Sequence, residues 1–325
     1  MKPLRPLLLP SEVFFMARVK NPEVLVLLAA YDGNRYVREQ IDSILAQDYK
    51  DLLLVLSDDG EKTSDILDEY AERYPQRIIR YRAGKRFGSA KAHFMHLLNH
   101  FKNYAPYVMF SDQDDIWNST KVSVTLTAMK EAEDGFDGPV LVHTDLKVVD
   151  ANLREISPSF FDYEHLGKRR YQPNALLLQN IVTGCTVMIN RELVNLATVP
   201  VKMGSIVMHD HWLALIASFL GKIVFIETPT MLYRQHGDNS CGAKPLLSME
   251  KIFVAFKKKH YYALSVQAEA FLNCFADILT KDDIRLVHEV ASWQRKGKVE
   301  RLISYFRNNL WKYPLIRAIG QLIFW

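Results

Sequence analysis

The chain has 325 residues, of which 49% are hydrophobic and 24% charged, with a formal net charge of +4. Length and composition fit one large α/β domain, or one domain plus an appendage, and there is no low-complexity tract or solenoid-period repeat. Cys185, Cys241 and Cys274 are widely spaced and form no CxxC pair, which argues against a zinc site or a disulfide framework and fits a reducing cytoplasm.

Met1 to Lys20 is basic, with a Leu7-Leu8-Leu9 run cut by Pro10, and is too short and interrupted for a signal peptide. No later run approaches the roughly 20 apolar residues of a spanning helix. Val24 to Ala30 is seven apolar residues in a row, the pattern of a buried parallel strand. Tyr31-Asp32-Gly33-Asn34 is a turn, and Val37, Ile41, Ile44 and Leu45 then recur at helical spacing. Leu52 to Leu56 predicts a second strand, ending in Ser57-Asp58-Asp59-Gly60. Thr63 or Ser64 can cap the helix that follows. A short strand at Ile78 to Tyr81 precedes an amphipathic helix through Phe94, Leu97, Leu98 and Phe101. Tyr107 to Phe110 is a fourth strand and runs into Asp112-Gln113-Asp114-Asp115.

Alternating strands and helices predict a doubly wound, mostly parallel sheet, in which ligands bind beyond the carboxyl ends of the strands. The polar clusters fall at three such ends. Further on, Val140 to His143, Lys147 to Val149 and Thr186 to Ile189 predict strands, and Ser157 to Gln172 reads as a loop. Trp212 to Phe219 predicts a helix. Ile223 to Ile226 and Met231 to Arg234 read as a strand pair around Pro229, and the pattern after about Leu247 is helical.

Three carboxylates at one strand end raise one another's pKa, and a hard divalent cation relieves that crowding. The plain alternative is an acidic turn or helix cap. Asp58 and Asp59 suit a nucleobase or ribose, or simply a strand-ending turn. There is no GxGxxG after the first strand and no Gly-rich Lys-Ser/Thr loop, so dinucleotide oxidoreduction and P-loop hydrolysis are disfavoured.

With these motifs in order, residues 22 to 240 resemble the glycosyltransferase family 2 enzymes. The resemblance rests on Ala30 to Asn34, Gln40 to Gln47, Ser57-Asp58-Asp59-Gly60 and Phe110 to Trp117. Asp112-Gln113-Asp114-Asp115-Ile116-Trp117 and Tyr233-Arg234-Gln235-His236-Gly237-Asp238-Asn239 are similar to a rhamnosyltransferase-like branch. The resemblance implies a GT-A fold, Rossmann-like, with a C-terminal helical extension. It implies that Tyr31 and Asp58 or Asp59 hold a nucleoside, and that Asp112 and Asp114 serve ribose and a metal-bound diphosphate. His236 would complete the site of a Mn²⁺ or Mg²⁺ ion, and Asp115 is a further candidate. Lys91, one turn into the helix after Gly88, would reach a phosphate or the nucleoside, or lie on a solvated face.

Inverting transfer needs a base on the acceptor hydroxyl. Asp210, in Met208-His209-Asp210-His211-Trp212, resembles the family's acidic residue before a Trp-rich helix and is the candidate the resemblance implies, with a plain helix N-cap as the alternative. His209, His211 and the Thr183-Gly184-Cys185 turn are further acceptor-side candidates. The first motif departs from the family's frequent Tyr-Asn-Gly by Asp32, a residue equally suited to a turn.

Residues 251–325 carry 13 Lys/Arg against 6 Asp/Glu, whereas residues 1–250 carry 28 against 31. Residues 302–325 interleave apolar and basic side chains and predict an amphipathic helix pair broken near Pro314. Such a tail lies on a membrane, packs on the domain or joins a second subunit. The expected organisation is an N-terminal extension at 1–21, a catalytic domain at 22–245 (nucleotide-binding half 22–117, acceptor half 118–245) and a basic helical tail at 246–325. The expected activity is an inverting transfer of rhamnose or another hexose from a dTDP- or UDP-sugar to a cell-envelope or capsular glycan, lipid-linked or free. It would take place at the inner face of the cell membrane, with no nucleic-acid partner. A nucleotidyltransferase and a catalytically inactive glycan-binding scaffold are the alternatives.

Overall fold

The computed structural model describes residues 22–168, 170–236 and 258–324. The N-terminal extension, Cys241 and Gly237-Asp238-Asn239 lie outside the described residues.

The first half alternates as its periodicity predicts: β1 (Val24–Ala30), α1 (Val37–Leu45), β2 (Leu52–Asp58), α2 (Ser64–Arg73), β3 (Ile78–Tyr81), α3 (Ala90–Phe101) and β4 (Tyr107–Ser111). There follow β5 (Ile116–Trp117), α4 (Lys121–Glu133), β6 (Val140–Thr144), β7 (Lys147–Val149) and β8 (Glu155–Ser157). Two short helices, α5 (Phe160–Tyr163) and α6 (Pro173–Leu176), then lead to β9 (Val187–Asn190) and α7 (Arg191–Ala197). The unit closes with α8 (His209–Leu220), β10 (Lys222–Ile226) and β11 (Met231–Arg234), before α9 (Lys258–Phe275), α10 (Lys281–Ala291), α11 (Lys298–Arg307) and α12 (Leu315–Phe324).

Among the described residues, seven strands form one sheet in the order β10-β6-β9-β4-β1-β2-β3, and β5-β11-β7-β8 form a smaller one. The chain runs outward from β1 through β2 to β3, then returns to place β4 on the other side of β1. That reversal opens a crevice beyond Ala30 and Ser111, where such sheets hold ligands. β1 is apolar throughout because both of its faces are covered. Leu25 and Leu27 join Leu53, Val108 and Phe110 under α3, α8 and the C-terminal helices. Val24, Val26 and Leu28 join Leu54 and Met109 under α1, α2 and α4. Alternation every second residue assigns the two faces.

The mostly parallel sheet is as expected, with β9 running antiparallel to both β4 and β6. Three expectations are corrected. Residues 157–172 contain the helix α5, started by the Ser159 hydroxyl accepting from the Asp162 N–H. β10 and β11 do not pair with each other: β10 lies parallel to β6, and β11 parallel to β7 and antiparallel to β5. Asp145 accounts for this, since its N–H donates to Ile226 O at 2.9 Å and its carbonyl accepts from Thr230 N at 3.2 Å. The connection across Pro229 thus brackets Asp145 and carries the chain from one sheet to the other instead of folding back. Thr63 sits at the start of α2, but its hydroxyl makes no cap bond and accepts instead from Gly33 N at 2.7 Å.

The C-terminal helices pack on the α8 face: Tyr261, Phe271, Val287, Trp293 and Tyr305 are buried in the same core as Trp212. Among the described residues, no helix is long and apolar enough to cross a membrane.

Candidate active site

The turn after β1 is held from across the crevice. The Gln113 carboxamide accepts from Tyr31 N at 2.7 Å and donates to Tyr31 O at 3.0 Å. Gly33 makes room for that contact, because a Cβ there would sit 2.0 Å from the Gln113 Oε1. Tyr31 itself stands exposed at the rim. The middle residue of the Asp-x-Asp pair thus ties the ends of β1 and β4 together, a role that sequence reading missed.

The acidic residues after β4 separate into different environments. Asp112 and Asp114 front the cavity, while Asp115 is fully buried beneath it. Asp115 Oδ1 accepts from Arg234 N at 3.2 Å, and its Oδ2 has no hydrogen-bond partner. Ligating atoms of Asp112, Asp115 and Cys185 lie within 4.8 Å of one another. Burial first, then the neighbouring carboxylates, raise the pKa of Asp112 and of Asp115. Burial also holds the Cys185 thiol protonated beside both carboxyls. Lys121, fully buried nearby with its ammonium 4.9 Å above the Trp117 ring, has its pKa pushed down by burial to about 8.

Asp114 is set by β11. The buried Arg234 donates from Nε to Asp114 O at 2.9 Å and from a terminal nitrogen to Ala151 O at 3.0 Å. It also pairs with Glu39 and lies 4.4 Å over the Tyr36 ring. His236, two residues on, places Nε2 2.8 Å from Asp114 Oδ2 and its ring 4.9 Å from Tyr36.

At the end of β2 the paired aspartates diverge. Asp59 faces the cavity and accepts from Phe87 N at 2.5 Å and Gly88 N at 2.8 Å, holding the loop in which Gly88 adopts φ +69°. Asp58 accepts from Gly60 N at 2.9 Å, and burial raises its pKa. Lys91 reaches the Ile206 carbonyl, and the cavity is lined instead by its neighbours Gly88, Ser89, Ala90 and His93.

Opposite lies the N-terminus of α8. Asp210 Oδ1 accepts from His211 N at 2.6 Å and Oδ2 from Gly184 N at 3.1 Å. Desolvation outweighs these bonds and lifts the Asp210 carboxyl to about 6. Asp210 is also near enough to Asp112 for its charge to raise that residue's pKa. His209 is buried between Phe94 and Phe110, with both ring nitrogens unpartnered and its pKa pushed down to about 3, so it is neutral. A Cβ on Gly184 would meet His209 Nε2 at 2.6 Å. His211 turns inward, with Nε2 2.6 Å from Leu176 O and Nδ1 3.2 Å from Gln267 Nε2. It therefore joins α8 to α9 instead of facing the cavity.

Tyr31, Asp59, Asp112, Asp114, Gly184, His209 and Asp210 line one cavity of about 400 Å³, which is ligand-sized. Asp58, Lys91, Asp115, His211 and His236 do not line it, although His236 meets Asp114, which does. Two cavity-facing carboxylates with an imidazole against one of them are a hard oxygen and nitrogen donor set, which fits Mn²⁺ and, less well, the oxygen-preferring Mg²⁺.

The model of the family described as Glycosyl transferase family 2 matches residues 25–196. A dTDP-rhamnosyl transferase of Shigella flexneri, RfbG, is 28% identical over 250 residues, covering 72% of this chain and 76% of that protein. A putative teichuronic acid biosynthesis glycosyltransferase of Bacillus subtilis (strain 168), TuaG, is 28% identical over 177 residues, covering 53% of this chain and 64% of its own length. Among solved structures, S. aureus TarS 1-349 in complex with UDP-GlcNAc is similar with a TM-score of 0.53 at 15% identity, covering 89% of this chain and 88% of that one. A likeness at that identity is one of fold, and the fold is GT-A.

Proposed function

The chain belongs to glycosyltransferase family 2, and from that premise we propose that it transfers a hexose, rhamnose in the first instance, from a nucleoside-diphosphate donor to a cell-envelope glycan with inversion. The observation that carries this reading is the cavity itself. Its one wall bears Asp112 and Asp114, its other wall Asp210, and the charges of Asp114 and Asp210 add to burial in raising the Asp112 carboxyl. The dTDP-rhamnosyl transferase relative supports dTDP-rhamnose ahead of UDP-sugars as donor.

In this reading Tyr31 and Asp59 border the nucleoside, and Asp112 faces the ribose. Asp114 and His236 would hold a divalent cation, which supplies positive charge to the departing diphosphate. The acceptor oxygen attacks the anomeric carbon from the Asp210 side. The new C–O bond forms as the bond to phosphate breaks, the electron pair leaves on the diphosphate, and Asp210 takes the hydroxyl proton. With its carboxyl at about 6, Asp210 is ionised at neutral pH yet more basic than an ordinary aspartate. Buried neutral His209 beside it leaves the base without a competing proton donor.

A thermal-shift panel of dTDP-rhamnose and UDP-sugars, with and without Mn²⁺, tests the donor site, since a ligand bound only to the native state raises the melting temperature. A metal-dependent rise is expected with at least one of them. No such rise with any nucleoside-diphosphate sugar would remove the reading.

A further inference from the structure

The last two helices turn apolar residues outward. On α11, Val299, Leu302, Ile303 and Phe306 are 70%, 37%, 60% and 68% exposed, and their spacing puts them on one face. The opposite face buries Ser304 and Tyr305. On α12, Leu315, Ile316 and Ile319 are exposed while Ala318 is buried. The Phe306 ring meets Trp311 edge-on at 4.9 Å, so the two stripes join. Trp311, Tyr313, Leu315 and Ile319 line a shallow apolar groove of about 420 Å³ where they meet.

Residues 295–325 hold seven Lys/Arg and a single acidic residue, Glu300. Lys298 and Arg307 are exposed on α11, and Arg295 is exposed just before it. A contiguous outward apolar face marks a binding surface. A second copy on this face would bring like charges together, whereas anionic headgroups neutralise them. We propose that α11 and α12 lie in the interface of an anionic lipid bilayer, with the apolar stripe inserted and the basic residues at headgroup level.

The connection between these two helices is fastened to the segment that leads to the acceptor side of the cavity. Arg170 donates to Trp311 O at 2.7 Å, Asn174 to Asn309 O at 3.0 Å, and Tyr313 N to Gln179 Oε1 at 2.8 Å. That segment leads directly to Thr183 and Gly184 in the cavity wall. A bilayer bound here therefore flanks the acceptor side, as a lipid-borne glycan would require. This last link rests on the glycosyl-transfer reading, but the lipid surface does not.

The test is flotation of the full chain with vesicles of phosphatidylglycerol and phosphatidylcholine, against phosphatidylcholine alone. Binding to the anionic vesicles that weakens with salt is expected, with at least about a tenfold loss in Ile303→Glu/Phe306→Glu. Both substituted residues are exposed, and an unchanged nucleotide-sugar thermal shift verifies the fold and separates this result from the donor test. Absence of binding, or equal binding by the double variant, overturns the proposal. A salt-insensitive dimer that the same double variant dissociates would assign the face to a second copy and overturn it too.

Discussion

Asp114 and Asp210 face one cavity from opposite walls, yet the chain supports them differently. Asp114 is built from long-range side-chain contacts: Arg234 fixes its backbone and His236 meets its carboxylate. Asp210 is held by main chain alone, with the His211 N–H at the helix start and the Gly184 N–H from a turn 26 residues away, in a desolvated setting that raises its pKa to about 6. In the proposed reading, one wall would share a carboxylate with a cation and the other would take up a proton. Clustered acids alone do not separate these tasks; the partners each acid is given do.

The sharpest way to break the comparison is Asp210→Asn. It keeps an acceptor oxygen but cannot accept a proton, so kcat should fall by on the order of 10³-fold. The donor thermal shift should persist, and its loss would place Asp210 in donor binding instead. Asp114→Asn should do the converse, abolishing the Mn²⁺-dependent shift with turnover reduced about 10²-fold or more; rate assays at saturating Mn²⁺ check it. His236→Ala should weaken Mn²⁺ by about 10- to 100-fold, read from the metal titration of activity, with a partial recovery of rate at high Mn²⁺. Gly184→Ala should cost about 1–3 kcal/mol by denaturant unfolding, because its Cβ would collide with the buried His209 ring.

The smallest effect concerns pH. As a base, Asp210 works ionised, so the rate should drop about tenfold per pH unit below about 6 and level off above it. Its stability linkage has the opposite sense. A carboxyl raised on folding favours the native state below the ordinary carboxylate range, and that contribution is lost as pH rises through about 6. Asp210→Asn should therefore gain stability relative to the parent chain at pH 8 compared with pH 4, as melting curves at the two pH values would report.

The strand ends were legible because each follows an unbroken apolar run, and Tyr31, Asp59, Asp112, Asp114 and Asp210 do meet in one cavity. What was not legible depends on distant partners. Gln113 reaches Tyr31 across 82 positions, and Arg234 reaches Asp114 across 120. Nothing local distinguishes an outward Asp114 from an inward Asp115. The β10–β11 region has two strands in either reading, and the bracket on Asp145 decides which sheet each joins. In the tail, periodicity revealed an apolar stripe on α11 but not that Tyr305 on the reverse face would anchor it to the core.

The carboxamide of Gln113 has a consequence for how this sequence can drift. It uses its oxygen and its nitrogen on the same residue's backbone, so glutamate lacks the donor and asparagine is one methylene short. Any side chain at Gly33 would occupy the same space. The two positions, far apart in the chain, form one unit of inheritance: a relative that replaces the glutamine must rebuild the turn as well, and the pair should change together or not at all.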